Sequence, residues 1–238
     1  MKKISLLPVV ILLLSGKPDH TPELLSTEAQ WNTIFSERLS ILEQCTGITF
    51  TDGWVPTMQF GAPDYISNSA NFGGCYDQTQ RSFWVTNAYR SMPATNELPE
   101  AVRLLVDHEL GHALADQISC RKNGYTWPDT VAWKNQTDAQ NLSDKILSEG
   151  VGEYFGRLLS SDTSTSAEWL PEDSGGLVWL THSWPYYGGY WLVKPIIDQF
   201  GEKGIIYITQ HKFSFEDSQI RQAGYLYQTQ AIEKLSGY

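Results

Sequence analysis

The hydrophobic and polar positions of the chain follow different periods in successive segments. Between residues 29 and 44, apolar side chains recur at spacings of three and four, which predicts an amphipathic helix. Between residues 47 and 87, short runs of β-branched and aromatic residues are separated by turn formers, which predicts a small, mostly antiparallel sheet. The predicted strands are residues 48–51, 55–60, 71–76 and 81–86, the last two forming a hairpin around residues 77–80.

The second half of the chain has the pattern of helices. Residues 101–115 are apolar on most sides of a helix, which is typical of a buried central helix, and Pro99 suits its first turn. This helix is predicted to end near Ile118, before an insert at 119–137 that forms either a lid or a packed segment. Further helices are predicted at 139–159 and across 184–238, with breaks at Gly201 and Gly204 and a capping box at 214–217. These elements predict an α+β fold in which the small sheet packs on the central helix and a helical C-terminal lobe follows.

The first sixteen residues have the composition of a secretory signal peptide. Two lysines precede an apolar run at residues 4–14, and two small residues follow it. We therefore expect a cleaved signal at 1–16, a flexible leader at 17–28 and an exported protein, either periplasmic or secreted. The end of the signal resembles that of a bacterial lipoprotein, but Lys17 stands where the lipidated cysteine would be. The sequence has no other run that is long and apolar enough to form a membrane span.

The composition is that of a globular protein, with 41% hydrophobic and 18% charged residues. The net charge of −10 disfavours binding to the phosphates of nucleic acid. Export permits disulfides, and the three cysteines allow at most one internal bridge, whose pairing stays open. Nine Trp and twelve Tyr predict a large core, an aromatic-lined groove, or both. The sequence leaves the oligomeric state open.

The most specific chemical signal is an H-E-x-x-H sequence inside the predicted central helix. His108 and His112 are four residues apart, so their imidazoles lie on one helix face, with about 6 Å between the Cβ atoms. That separation suits two ligands of one tetrahedral zinc ion. Glu109 lies about 100° further round the helix, so its carboxylate misses the ion but reaches a water bound to it. The sequence therefore predicts zinc as the cofactor and Glu109 as the general base.

A catalytic zinc of this kind needs a third protein ligand. The metzincin pattern would place glycine at position 115 and histidine at 118, and the chain has Ala115 and Ile118, so that class is excluded. On the second predicted helix, Glu149 and Glu153 are four residues apart and share a face. One of these carboxylates would bind zinc, and the other would accept a hydrogen bond from a ligand imidazole. Two other acidic candidates lie in less suitable contexts, Asp116 and Asp129.

The motif H-E-L-G-H and the later E-G-V-G-E-Y-F resemble those of the gluzincin metallopeptidases, the thermolysin-like clan. The resemblance implies that Glu149 is the third zinc ligand and that Glu153 orients the first histidine, His108. It also implies a later helix with a tyrosine that polarises the substrate carbonyl, for which Tyr186 is the first choice and Tyr187 the second.

Two positions fit the resemblance less closely. Gly152 stands where many gluzincins carry alanine. His182 lies four residues before Tyr186. Its role stays open: it either donates a hydrogen bond to substrate or is a structural histidine.

The resemblance covers roughly residues 70–235 and implies a zincin-like fold. We expect a single catalytic domain over residues 29–238, with an N-terminal α+β lobe (29–118) and a helical lobe (119–238). Zinc would lie at the floor of the cleft between them, and strand 81–86 would be the sheet edge that holds an extended peptide. The implied activity is zinc-dependent hydrolysis of a peptide or protein substrate, with the attacking water activated by Glu109. Two alternatives stay open: an exported binding or scaffold protein with a structural or vestigial zinc site, and a zinc hydrolase for a non-peptide substrate.

Overall fold

The computed structural model describes residues 28–61, 63, 73–86, 100–128, 138–158, 184–214 and 219–237. The predicted signal peptide, nearly all of the predicted leader, Asp129, His182 and most of the capping box lie outside the described residues. Among the described residues there are six helices and three strands, so a small sheet combined with helices is confirmed. None of these helices is both long enough and apolar enough to cross a bilayer.

The elements follow one another in the predicted order, with the sheet before the central helix. They are α1 (Glu28–Thr46), β1 (Thr57–Phe60), β2 (Gly74–Asp77), β3 (Ser82–Val85), α2 (Glu100–Asn123), α3 (Asp138–Leu158), α4 (Trp184–Phe200), α5 (Glu202–Gln210) and α6 (Ile220–Ser236).

The sheet is mixed rather than mostly antiparallel, with strand order β1-β3-β2. Strands β2 and β3 pair antiparallel with Gly74 opposite Val85, which confirms the predicted hairpin. Strand β1 pairs parallel with β3, with Thr57 opposite Ser82. The two strands therefore run in the same direction, although β2 lies between them in the chain. Strand β3 is therefore the central strand, and the prediction that residues 81–86 form a sheet edge is wrong.

Residues 48–51 form no strand, although their composition predicted one. Side chains from two helices take the hydrogen bonds that a neighbouring strand would have supplied. The Glu43 carboxylate accepts the N–H of Phe50, and the Gln117 amide accepts the N–H of Thr51 and donates to the carbonyl of Thr49. Because buried backbone groups need a partner of some kind, these bonds replace the ladder.

Helix α1 packs its apolar face on the sheet and on α2. Trp31 is fully buried, and Phe35 stacks on Phe83 of β3 with ring centroids 5.9 Å apart. On the same helix, the Arg38 guanidinium donates to both carboxylate oxygens of the buried Asp107 on α2. Burial raises the pKa of Asp107, and the bonds to Arg38 act in the opposite direction. Loss of the guanidinium would leave that carboxyl group buried without its partner.

Helix α2 is the centre of the fold and is buried along most of its length. It runs five residues beyond the predicted end at Ile118, to Asn123. No glycine or proline lies between Ile118 and Gly124. Gly124 has a φ of 80°, and its N–H bonds to the carbonyls of Ser119 and Cys120. A glycine with positive φ after the last turn is a common helix terminus.

Helices α3 and α4 cross without side chains between them. A Cβ on Gly189 would clash with the carbonyl oxygen of Ile146 and would lie 2.8 Å from Cα of Gly150. The two backbones therefore touch at these glycines, and α4 lies close against α3. Tyr186 is one turn before the crossing, so the close approach sets the position of its ring.

The predicted break at Gly201 is confirmed, with a φ of 54° between α4 and α5. The predicted break at Gly204 is wrong, because this residue lies inside α5. A Cβ at Gly204 would be 2.6 Å from the carbonyl oxygen of Ile196. This glycine allows α5 to pack on α4 rather than ending a helix.

Candidate metal centre

Two helices bring together three of the residues predicted to bind metal. His108 and His112 lie one turn apart on α2, with their Nε2 atoms 3.0 Å apart and their rings nearly perpendicular. Glu149 comes from α3, and its Oε2 lies 3.2 Å from Nε2 of His108 and 3.7 Å from Nε2 of His112. Among the described residues, these three form the one group of potential ligands whose atoms all lie within 4.8 Å of one another.

The three separations fit a small tetrahedral ion. A zinc ion with bonds of about 2.0–2.1 Å holds its tetrahedral ligand atoms about 3.3–3.4 Å apart. The observed distances of 3.0, 3.2 and 3.7 Å bracket that value. Two imidazoles and one carboxylate are also a zinc donor set, whereas calcium takes six to eight oxygens.

The carboxyl group of Glu149 is ionised in this environment. Burial by itself would raise its pKa, but hydrogen bonds and positive charge from His108 and His112 hold the pKa well below its ordinary value. A metal ligand must be deprotonated to bind, so the carboxylate is in the required state.

Glu153 lies one turn after Glu149. It faces Nδ1 of His108, whereas Glu149 lies beside Nε2. Its Oε1 is 3.7 Å from Nδ1 of His108, an ion-pair distance rather than a hydrogen bond. Its other oxygen accepts a 2.7 Å hydrogen bond from the Arg157 guanidinium. The carboxylate is thereby held beside the imidazole by a cation on its far side.

Ser148 is a site residue that the sequence analysis missed. Its Oγ lies 3.4 Å from Nδ1 of His112, on the side away from Nε2. A serine beside a ligand glutamate carries no distinctive pattern, so only the packing of α3 on α2 reveals it.

Glu109 points to the sheet rather than into the group of ligands. It is 8% exposed, and its Oε2 accepts a 2.7 Å hydrogen bond from the backbone N–H of Tyr76 on β2. Burial raises the pKa of Glu109 to about 7, with a further upward contribution from Glu149, while His112 and the Tyr76 N–H act downward. A carboxyl group with this pKa can take up and release a proton near neutral pH.

The ring of Tyr186 lies over the ligand group, with its centroid 5.7 Å from that of His108. Burial raises its pKa first, and the negative charges of Glu149, Glu109 and Glu153 raise it further. A hydrogen bond to Glu149 adds to this rise, so the phenol keeps its proton and acts as a hydrogen-bond donor within the site. The side chain of Tyr187, the second choice, lies outside the described residues.

Gly152 lies against the Nε2 ends of the two imidazoles. A Cβ at this position would lie 2.6 Å from Nε2 of His108 and 2.8 Å from Nε2 of His112. Glycine at this position thus leaves room for both imidazoles.

Asp116, an alternative ligand one turn after His112, takes no part in the group. It is 1% exposed, and its two oxygens accept hydrogen bonds from the Tyr76 hydroxyl and the Trp127 backbone N–H. Its carboxylate is satisfied by β2 and by the segment after α2.

Comparisons of the chain with protein-family models, with curated proteins and with solved structures found no match. The functional assignment therefore depends on the geometry of the site.

Proposed function

We propose that the protein is an exported zinc metallopeptidase of the gluzincin type, with a zincin-like fold. The observation that carries the proposal is the convergence of His108, His112 and Glu149 at separations that suit tetrahedral zinc. Tyr186 lies over the same three residues, and the charges of His112 and Glu149 act on the Glu109 carboxyl, which favours a catalytic over a purely structural metal.

Bound zinc would act as a Lewis acid and lower the pKa of a water molecule toward 7. One oxygen of Glu109 is held by the Tyr76 N–H, so the other is left to accept a proton from the attacking water. The same carboxyl then delivers the proton to the leaving amine. The Tyr186 phenol donates a hydrogen bond to the substrate carbonyl oxygen as negative charge develops on it.

The same groups support a peptide or protein as the substrate. Peptide-bond cleavage needs a proton for the leaving amine, and Glu109 supplies it. The negative charge of the chain disfavours nucleic acid, and it favours neutral or cationic peptides over acidic ones.

The first experiment measures metal content and hydrolysis together. The chain is purified without chelator, its zinc is quantified, and it is incubated with a mixed peptide library with and without chelator. We expect one zinc per chain and chelator-sensitive cleavage. The Glu109→Gln variant should keep zinc and lose nearly all hydrolysis, whereas Glu149→Ala should lose zinc.

A matched control is Glu202→Gln, which removes an exposed carboxylate 3.6 Å from Lys122 and should change neither quantity. One-to-one zinc in Glu149→Ala would reject Glu149 as a ligand. Zinc binding with no cleavage of peptides would favour the scaffold alternative, and cleavage confined to ester or other non-peptide substrates would favour the second alternative.

A further inference from the structure

Tyr76 connects strand β2 to helix α2 at two points. Its backbone N–H donates to Oε2 of Glu109 at 2.7 Å, and its hydroxyl donates to Oδ2 of Asp116 at 2.9 Å. Glu109 and Asp116 are seven residues apart, so they lie on one face of α2, about 10 Å apart along its axis. The three residues are all buried, with exposures of 8%, 8% and 1%.

Asp116 is held in turn by a third segment. Its Oδ1 accepts the backbone N–H of Trp127 at 3.0 Å, so neither carboxylate oxygen is free to rotate away. The side chain of Gln78, in the turn after β2, donates to the carbonyl of Pro128 in the same segment. The hairpin, the central helix and the segment after it are thus joined through one buried carboxylate.

We propose that Tyr76 and Asp116 are positioning residues for Glu109. Their hydroxyl–carboxylate bond, called the Tyr76–Asp116 latch below, fixes the backbone of Tyr76, and that backbone holds one Glu109 oxygen. The inference deepens the proposed function, because the oriented group is the proposed general base.

The physical reason is the freedom of the glutamate side chain. A glutamate has three rotatable side-chain bonds, and a single hydrogen bond fixes its carboxylate only as well as the donor itself is fixed. The donor is on β2, whose other side pairs with β3, and the latch prevents β2 from sliding along α2. Catalytic groups displaced by about 1 Å can lose about 100-fold in rate, so this restraint bears directly on turnover.

The test combines Tyr76→Phe, Asp116→Asn and the double variant. Tyr76→Phe keeps the ring and the backbone N–H and removes only the hydroxyl. Asp116→Asn keeps the shape but removes the negative charge to which the Tyr76 hydroxyl donates, which leaves at most a weaker, neutral hydrogen bond. The control is Tyr227→Phe, which removes another buried hydroxyl, bonded at 3.0 Å to the carbonyl of His211 and distant in the chain from the site.

Two quantities are measured: amide hydrogen exchange at residue 76, and kcat and KM of the zinc-loaded protein, well below the melting temperature. We expect residue 76 to exchange at least about 10-fold faster in each latch variant than in the wild type. We also expect kcat to fall about 10- to 100-fold with KM unchanged. The double variant should lose no more than the worse single variant, because both changes act on the same bond.

The exchange measurement also stands by itself. Free exchange of residue 76 in the wild type, or unchanged exchange in both latch variants, would overturn the latch whether or not the protein is an enzyme. If the wild type cleaves no peptide, the proposed function fails, and exchange alone decides the latch. A loss of kcat equal to that of Tyr227→Phe would show a general stability effect and reject positioning.

Discussion

Replacing Gly152 with alanine should separate the folding of the chain from its affinity for metal. The added Cβ would lie 2.6 Å from Nε2 of His108 and 2.8 Å from Nε2 of His112. Non-bonded heavy atoms pack at about 3.5 Å, so the two ring ends must retreat by about 0.8 Å. Zinc bonds tolerate displacements of only about 0.2 Å.

The cost should appear in metal binding and not in folding. The displaced atoms are the far ends of side chains, which rotate easily, and alanine is better than glycine inside a helix by about 1 kcal/mol. We therefore expect the metal-free variant to unfold within about 1 kcal/mol of the wild type. Disturbance of the surroundings of metal ligands typically costs about 10- to 100-fold in affinity, which is about 1.4–2.8 kcal/mol.

The matched control lies one turn further along α3. A Cβ at Gly156 would meet the carbonyl oxygen of Leu104 at 3.4 Å and Cβ of His108 at 3.5 Å, which are ordinary contacts. Gly156→Ala should therefore stabilise the metal-free protein by about 0.5–1 kcal/mol and leave zinc affinity unchanged. Zinc affinity is measured by competition with a chromophoric chelator, and stability by urea unfolding in excess chelator. If Gly152→Ala binds zinc within about twofold of the wild type, the proposed ligand geometry is wrong.

Three further changes test other parts of the structure. In metal-free protein, the pKa of Glu109 is about 7 when folded against 4.5 when unfolded, so stability falls by up to about 3 kcal/mol as pH rises from about 4.5 to 7. Glu109→Gln should remove that fall. Identical urea-unfolding profiles of the wild type at pH 5 and pH 8 would contradict the prediction. Gly189→Ala should shift α4 and Tyr186 and lower the stability against thermal unfolding by about 1–3 kcal/mol. It should lower kcat and leave the zinc content unchanged. An unchanged melting temperature would refute the close crossing of α3 and α4. Arg38→Met should cost about 3–5 kcal/mol in urea unfolding by leaving Asp107 unpaired, and a loss below about 1 kcal/mol would show that the carboxyl is adequately solvated.

Local sequence patterns were sufficient to predict the helix that carries His108 and His112. A spacing of four on an apolar helix places two imidazoles on one face wherever that helix lies, and the turn after Asp77 was recognisable from its polar residues. The central helix could also have been extended correctly, because the next glycine after it is Gly124.

Long-range pairings were beyond the sequence patterns. The parallel pairing of β1 with β3 depends on the path of the chain between them, and nothing in the local composition records it. The Arg38–Asp107 bond spans 69 positions, and the Tyr76–Glu109 bond spans 33. A single chain offers no signal for such partners, since any arginine could pair with any buried acid.

The central position of α2 has a consequence for the independence of the N-terminal half. Its helix, loop and hairpin each obtain polar partners from α2, through Asp107, Glu109, Asp116 and Gln117. A fragment that ends at Thr86 would lose all four partners and the apolar surface on which Trp31 and Phe83 are buried. We therefore expect such a fragment to lack cooperative unfolding. Added as a separate peptide to the remainder of the chain, it would acquire structure only by docking on the helix that carries the histidines.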